Sequence, residues 1–275
     1  MVTLIGLART LTVAKNPHAV LILKLTKKRK KITFANGFKF RLTYQQFLFL
    51  RDHYKLVKKY NLQQINDETF KIHTDHFQFV GSLNLISIID EMESGVYDYD
   101  CRGKVVLDIG GFEGDSAVFL WGMGAKKIII YEPVLAHIKF IKENVLLNKV
   151  NAEIHEEGIG NEDCEITIAY NQVDNCFGLE RKGLPNKMKV KIRDVTKVIA
   201  ESGAEVAKID CEGAEISLVN VSKDILRRLE YVMIEVHTPQ IKRVLIQKFK
   251  DSGFSFAKDS RVHDQQTSII YMKRI

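Results

Sequence analysis

A chain of 275 residues with 45% hydrophobic content can bury one large core, or one domain carrying an appendage. Its four cysteines, Cys101, Cys164, Cys176 and Cys211, show no C-x-x-C spacing, which argues against a zinc site or a disulfide framework and for a reduced, cytoplasmic protein. The net charge of +7 is uneven: between Met1 and Tyr60 Asp52 is the only acidic residue, so residues 24–59 invite an anionic partner, RNA or a membrane surface.

The apolar start Val2 to Leu7 is short, and Arg9 and Lys15 follow it without a cleavage pattern, so no secretory signal is expected. No window reaches the roughly 18 uncharged apolar residues of a membrane span. The run Ala19-Val20-Leu21-Ile22-Leu23 beside Lys27 to Lys31 reads as a core segment followed by solvated charge, with peripheral attachment to an anionic membrane as the alternative. The segment to about residue 30 is expected to be helical. Ile32-Thr33-Phe34-Ala35 then meets Phe38-Lys39-Phe40-Arg41-Leu42 across Asn36-Gly37, a strong hairpin signal. Phe34, Phe38 and Phe40 should share a face, as sheet core or, alternatively, as base-stacking aromatics.

Thr43 to Tyr60 reads as one amphipathic helix, with Phe47, Leu50, Tyr54 and Val57 at helical spacing. Phe70-Lys71-Ile72-His73 and His76-Phe77-Gln78-Phe79 suggest a second hairpin, whose His73 and His76 read as strand-end histidines rather than metal ligands. A helix over Leu83 to Glu93 closes a basic α+β appendage, residues 1–95. In the approach Val96 to Asp100, an aromatic is placed either to pack on a ligand or to fill a sheet edge.

The stretch Val105 to Ser116 organises the rest. Val105-Val106-Leu107 runs into Asp108-Ile109-Gly110, the pattern of a buried parallel strand entering a tight turn. Asp115 and Ser116 are expected to cap a helix over Ala117 to Trp121, and Gly110, Gly111 and Gly114 to let the backbone approach a ligand. The dinucleotide fingerprint G-x-G-x-x-G is absent, and Glu113 and Asp115 would repel a pyrophosphate, which disfavours an NAD enzyme. A cationic, amino-acid-bearing cofactor suits the loop better. Lys127 to Tyr131 is a second strand, and Glu132 at its tip is placed to accept hydrogen bonds from ribose hydroxyls. Pro133 then opens a helix to Asn148, and Ala152 to Gly158 reads as a third strand with acidic residues at its end.

These residues resemble class I S-adenosylmethionine-dependent methyltransferases and, more narrowly, the FkbM family. The resemblance rests on VVLDIGGFEGDSA at 105–117, IIYEP at 129–133, KIDCEGAE at 208–215 and IEVH at 234–237, and it covers roughly residues 95–275. Gly111 and Phe112 in the loop and Cys211 in the acidic block depart from the commoner pattern. The resemblance implies an α/β, Rossmann-like seven-stranded sheet over residues 96–275 with its last strand antiparallel. It also implies S-adenosyl-L-methionine as cofactor and O-methylation of a hydroxyl on a sugar, glycoconjugate or other small metabolite. The cofactor would be held by Asp108, Gly110, Gly111, Phe112, Gly114, Asp115, Ser116, Glu132, Pro133 and Asp210. In that fold the loop after the third strand meets the adenine, which nominates Glu157, or Glu156, with Gly158.

Residues 164–192 read as a β insertion whose polar loop, Asn171 to Asn186, helps shape an acceptor pocket. Asp194 should cap a helix to Ser202, ended by Gly203. Ala204 to Asp210 and Tyr231 to His237 are the fourth and fifth strands, bringing Asp210, Glu212, Glu215, Glu235 and His237 to the carboxyl edge of the sheet, where ligands bind in open α/β folds. For Glu215 a dipole-stabilising place at the start of a helix is preferred over a role in the site. His237 is nominated as general base, with Asp210 and Glu212 as orienting carboxylates. No metal is predicted, although Asp210, Glu212 and Glu235 offer hard oxygen ligands suited to magnesium. An RNA acceptor and a non-catalytic scaffold are the competing functions.

Overall fold

Residues 4–96, 99–171, 176–178, 186–261 and 267–275 are described by the computed structural model. Chain contacts divide it into two units, Met1–Ser94 and Gly95–Ile275.

The first unit runs α1 (Leu4–Val13), α2 (Pro17–Thr26), β1 (Lys30–Thr33), β2 (Lys39–Leu42), α3 (Tyr44–Asp52), α4 (Tyr54–Lys59), β3 (Asn61–Gln64), β4 (Phe70–His73), β5 (Gln78–Gly81) and α5 (Leu85–Glu93). β1 and β2 form the expected hairpin, and Phe34, Phe38 and Phe40 share a face: Phe34 and Phe40 are buried, with Phe40 5.7 Å from both other rings. They are core. The helix expected over Thr43 to Tyr60 breaks at His53, whose backbone leaves helical geometry while its ring stacks on Phe49. Thr43 and Gln46 form a capping box at the start of α3. The second hairpin gains a third strand, β3, which the polar sequence Asn61-Leu62-Gln63-Gln64 does not announce.

The second unit runs β6 (Val105–Ile109), α6 (Asp115–Gly122), β7 (Lys127–Tyr131), α7 (Leu135–Leu147), β8 (Ala152–His155), β9 (Glu157–Gly160), β10 (Cys164–Asn171), β11 (Cys176–Gly178), β12 (Asn186–Asp194), α8 (Val195–Ser202), β13 (Val206–Ile209), a 3-10 helix (Ala214–Asn220), α9 (Lys223–Leu226), β14 (Tyr231–Val236), α10 (Pro239–Asp251), β15 (Phe254–Arg261) and β16 (Ser268–Arg274). Seven strands form one sheet in the order β15-β16-β14-β13-β6-β7-β8. β14, β13, β6, β7 and β8 are parallel, and β16, the last strand, is antiparallel to both its neighbours. This is the class I methyltransferase sheet that the resemblance implies. A second sheet, β11-β10-β12-β9, holds the β insertion; of its polar loop, residues 172–175 and 179–185 lie outside the described residues.

Period-two alternation sorts the strand residues. Leu107, Ile109, Ala207, Ile209, Val232 and Ile234 join one core with Val198, Ile199, Leu218 and Phe249 from the elements covering that face. Asp108 and Lys208, side by side in register, face the other way. Asp194 accepts from Thr196 N to cap α8, and Gly203 ends it at φ 64°, as the sequence indicates. Two local readings are corrected. α6 is capped by Gly114, not by Asp115 or Ser116, because the Ser116 hydroxyl is drawn to Asp108. Glu212 to Glu215 leads into a 3-10 helix rather than an α-helix. Tyr99 stacks on Tyr231, the first residue of β14, and so packs the sheet at the edge away from the strand tips; Tyr97 lies outside the described residues.

Candidate functional site

The tips of β6, β7, β13 and β14 converge at the carboxyl edge of the large sheet. Gly110 N donates to Tyr131 O at 2.9 Å, and Asp210 N donates to Ile109 O at 2.9 Å, which ties three tips together. A Cβ at Gly110, where φ is +82°, would lie 1.6 Å from the Asp210 carbonyl oxygen. Only glycine permits that approach. At Gly114, with φ +86°, a Cβ would meet Ile141 Cα of α7 at 3.1 Å. What these two glycines approach in the structure is protein, where the sequence suggested a ligand.

Beneath the loop lies a buried charge cluster. Asp108 is fully buried; it accepts from Ser116 Oγ at 2.6 Å and stands 3.3 Å from the Lys208 ammonium. Lys208, also buried, donates to Gly110 O at 2.6 Å and lies 3.9 Å from Asp210. Burial alone would lower the lysine's pKa, but Asp108 and Asp210 outweigh it and hold the ammonium form. Asp115 completes the cluster. It is 3% exposed, its Oδ1 is buried without a hydrogen-bond partner, and burial pushes its carboxyl up to about 6. Three carboxylates, Asp108, Asp115 and Asp210, thus act on one buried lysine.

Glu132 is nearly buried. Its Oε2 accepts from Phe112 N at 3.0 Å, its Oε1 from Val134 N at 2.9 Å, and His137 Nδ1 stands 3.3 Å away. Phe112 takes a positive φ of 44° and lays its ring edge-on to His137 at 4.6 Å. Glu132 Oε1 is thus met by Val134 N and the His137 ring, while Oε2 keeps a second acceptor direction beside Phe112 N. Pro133 touches the Gly158 corner, since a Cβ at Gly158 would lie 3.4 Å from Pro133 Cγ. Glu157 and Gly158 belong to β9, paired with Lys191 and Ile192 of β12, and Glu156 is paired with Lys142.

The acidic block surrounds His237. Its Nδ1 lies 3.0 Å from Glu215 Oε1, which also accepts from His237 N at 3.2 Å, while Glu215 Oε2 accepts from Gly213 N at 2.7 Å. The other ring nitrogen, Nε2, faces Glu212 at 3.8 Å, Asp210 at 3.9 Å and Glu235 at 4.0 Å. Burial would lower the histidine's pKa, but the bond to Glu215 and the charges of Glu215, Asp210 and Glu212 overcome it and raise it to about 9. Burial would raise the Glu215 carboxyl, but the bond to His237, the histidine's charge and the backbone hydrogen bonds together hold it below its ordinary value. Glu212 adopts φ 53°, a strained conformation for a residue with a side chain, and turns toward this imidazole.

Asp210, Glu235 and His237 each offer one ligand atom, all within 4.8 Å of one another, the only such group among the described residues. The set of two carboxylate oxygens and one imidazole nitrogen suits a divalent cation. His73 and His76 are not part of it. Lys208 was not singled out from sequence, and Glu215, placed with Asp210 and Glu212 at the carboxyl edge, was given to the helix dipole in preference to the site. The available signals were a lysine inside an otherwise apolar buried strand and a carboxylate five positions past Asp210.

No known family's profile matches the chain, and no curated protein matches it. Solved structures that resemble it include TYW2 from M. jannaschii in complex with AdoMet, at 12% identity and TM-score 0.45, covering 78% of this chain and 90% of that one. The ribosomal protein L11 methylase of Lactobacillus delbrueckii subsp. bulgaricus is 12% identical with TM-score 0.39, covering 66% and 75%. Precorrin-6y C5,15-methyltransferase from Geobacter metallireducens is 13% identical with TM-score 0.39, covering 68% and 88%. The fold assignment rests on the strand order itself, a seven-stranded Rossmann-like sheet closed by an antiparallel last strand.

Proposed function

We propose that the chain is an S-adenosylmethionine-dependent O-methyltransferase acting on a hydroxyl of a sugar, glycoconjugate or other small metabolite. One observation carries this reading: the glycine-loop tip, with its partnerless buried carboxylate oxygen, abuts the tip bearing Asp210, beside the Glu215–His237 pair. The cofactor, when bound, supplies a methyl group on a sulfonium. Asp115 Oδ1 is an acceptor that its ammonium group would satisfy, Glu132 would take its ribose hydroxyls, and the carboxylates at the tips favour a cation nearby. The FkbM resemblance of the 105–117, 129–133 and 208–215 blocks supports the acceptor class.

In this reading Glu215 fixes the imidazole through Nδ1–H and leaves Nε2 as the proton acceptor. Asp210 and Glu212 would orient the acceptor hydroxyl, and Nε2 would take its proton while the methyl carbon–sulfur bond gave way to a carbon–oxygen bond, the electron pair staying on sulfur. Alignment supplies the rest of the acceleration. Titration calorimetry with S-adenosylmethionine and S-adenosylhomocysteine tests the proposal. Micromolar binding that falls at least tenfold in Asp115→Asn and Glu132→Ala is the expected result. Absence of binding by the folded wild-type protein overturns it in favour of a scaffold.

A further inference from the structure

α2 presents the wrong face to water. Its residues Val20 and Leu23 are buried, yet Leu21, Ile22 and Leu25 are 59%, 42% and 73% exposed. With His18 these occupy positions i, i+3, i+4 and i+7, a single outward stripe along the helix. Aliphatic side chains scattered singly on a surface need no explanation; three contiguous ones on an outward stripe do. At Lys27 the backbone turns left-handed, φ 54°, and ends the helix, so Lys27 and Lys28 follow directly on Leu25. Lys27, Lys28 and Lys31 are exposed, whereas Arg29 is already tied to Gln46, Asp67 and Glu68. No acidic residue occurs between Pro17 and Arg41.

We propose that the outward stripe of α2 and the lysines that follow it seat this chain on the surface of an anionic lipid bilayer. Each half of the feature selects the partner. The aliphatic stripe requires an apolar phase, and the cations at its end require phosphate or carboxylate headgroups, an association that interfacial helices show with the apolar face sunk to the acyl boundary. A second copy docked stripe to stripe would bring lysine clusters of the same sign together if parallel, and if antiparallel would leave the lysines with no anionic group to meet, since no acidic residue occurs on α2. A nucleic acid would take the lysines but leave the aliphatic side chains in water, with no aromatic on the stripe to stack a base. No helix among the described residues is long and apolar enough to cross a membrane, so the association is peripheral.

The full-length protein is sedimented with vesicles of phosphatidylcholine alone or with 30% phosphatidylserine, at low and high salt. Binding to the anionic vesicles is expected, with at least tenfold weaker partition to the neutral ones. Leu21→Ser/Leu25→Ser and Lys27→Glu/Lys28→Glu should each weaken it at least tenfold while leaving the circular dichroism and melting temperature unchanged, since all four side chains are exposed. Four results would each sink the proposal. These are no partition into anionic vesicles, partition indifferent to the serine pair, a dimer in sedimentation velocity that the serine pair dissolves, and displacement from vesicles by equimolar tRNA. Cofactor binding is measured separately and stands or falls without this result.

Discussion

His237 sits among more negative charge than a lone imidazole can balance, and that imbalance has a kinetic signature. With its pKa near 9, the neutral base form is a minority species at pH 7. Under the proposed chemistry the rate of methyl transfer should rise about tenfold per pH unit from 6 to 8 and level off near 9. Glu215→Gln removes the largest contribution holding the proton, so its profile should level off at lower pH with a reduced plateau; an unshifted profile would remove His237 from the base role. The histidine also stabilises the fold in its charged form. Its folded pKa lies above its unfolded value near 6.5, so that contribution is complete below pH 6 and fades as pH rises through 9.

Asp115 behaves in the opposite sense to a paired carboxylate. Raising a carboxyl from 3.8 to about 6 costs its ionised form about 3 kcal/mol. Because the folded state holds the proton more tightly than the unfolded one, stability falls as pH climbs from 4 to 6. Asp115→Asn should therefore be more stable than wild type by about 1–3 kcal/mol above pH 6 and no different below pH 4, as read from urea denaturation. Losing cofactor affinity in the same variant would mark the trade of stability for function that binding sites show. Lys208 was not legible from sequence and Glu215 was read as a dipole-stabilising residue, because each acquires its contacts from a partner far off in sequence: Asp108 by strand register, His237 by the approach of β14 to the 3-10 helix.

At the level of elements, local signals were read well where the cap and the strand were local events. The Asp194 cap, the Gly203 stop, the hairpin at Asn36-Gly37 and the strands carrying the 105–117 and 208–215 blocks all follow from neighbouring residues. The start of α6 did not, because Ser116 had a better acceptor in buried Asp108 than the helix end could offer. The single helix expected across Thr43 to Tyr60 failed for a similar reason, since apolar periodicity continues through His53 while the backbone does not. α6 and α7 meet at Gly114 with no room for a methyl group and with φ in the left-handed region. Gly114→Ala should destabilise the protein by about 1–3 kcal/mol, with chemical denaturation as the measure.

For the whole molecule, charge is the property that composition announced and the structure distributes. The formal charge of +7 and pI near 9.1 belong to a chain whose cations crowd the first unit and whose carboxylates line the site in the second. If RNA were the acceptor, bulk tRNA should bind and lose affinity by orders of magnitude between 50 and 200 mM salt; indifference to tRNA in a gel-shift series is expected here. Turnover should also survive exhaustive chelation, because the imidazole–carboxylate pair needs no ion to accept a proton. Loss of activity restored by magnesium would reassign Asp210, Glu235 and His237 as its ligands. The seven-stranded sheet and its antiparallel last strand could be read from the resemblance carried by a few short blocks. The acceptor could not, since nothing in the sequence of the loop nominated to shape it names a substrate.

The contact between Gly110 and the Asp210 carbonyl joins the two halves of the site mechanically. With less than a methyl group's width between them, neither loop can move toward the other. A donor that pressed the Gly110 loop toward Asp210 should therefore move the Asp210 loop as well, and by linkage the influence should be mutual. Titrating S-adenosylhomocysteine should move the backbone amide resonances of Cys211 and Glu212 in step with that of Gly110, which would make the order in which donor and acceptor arrive a property of the scaffold rather than of either ligand.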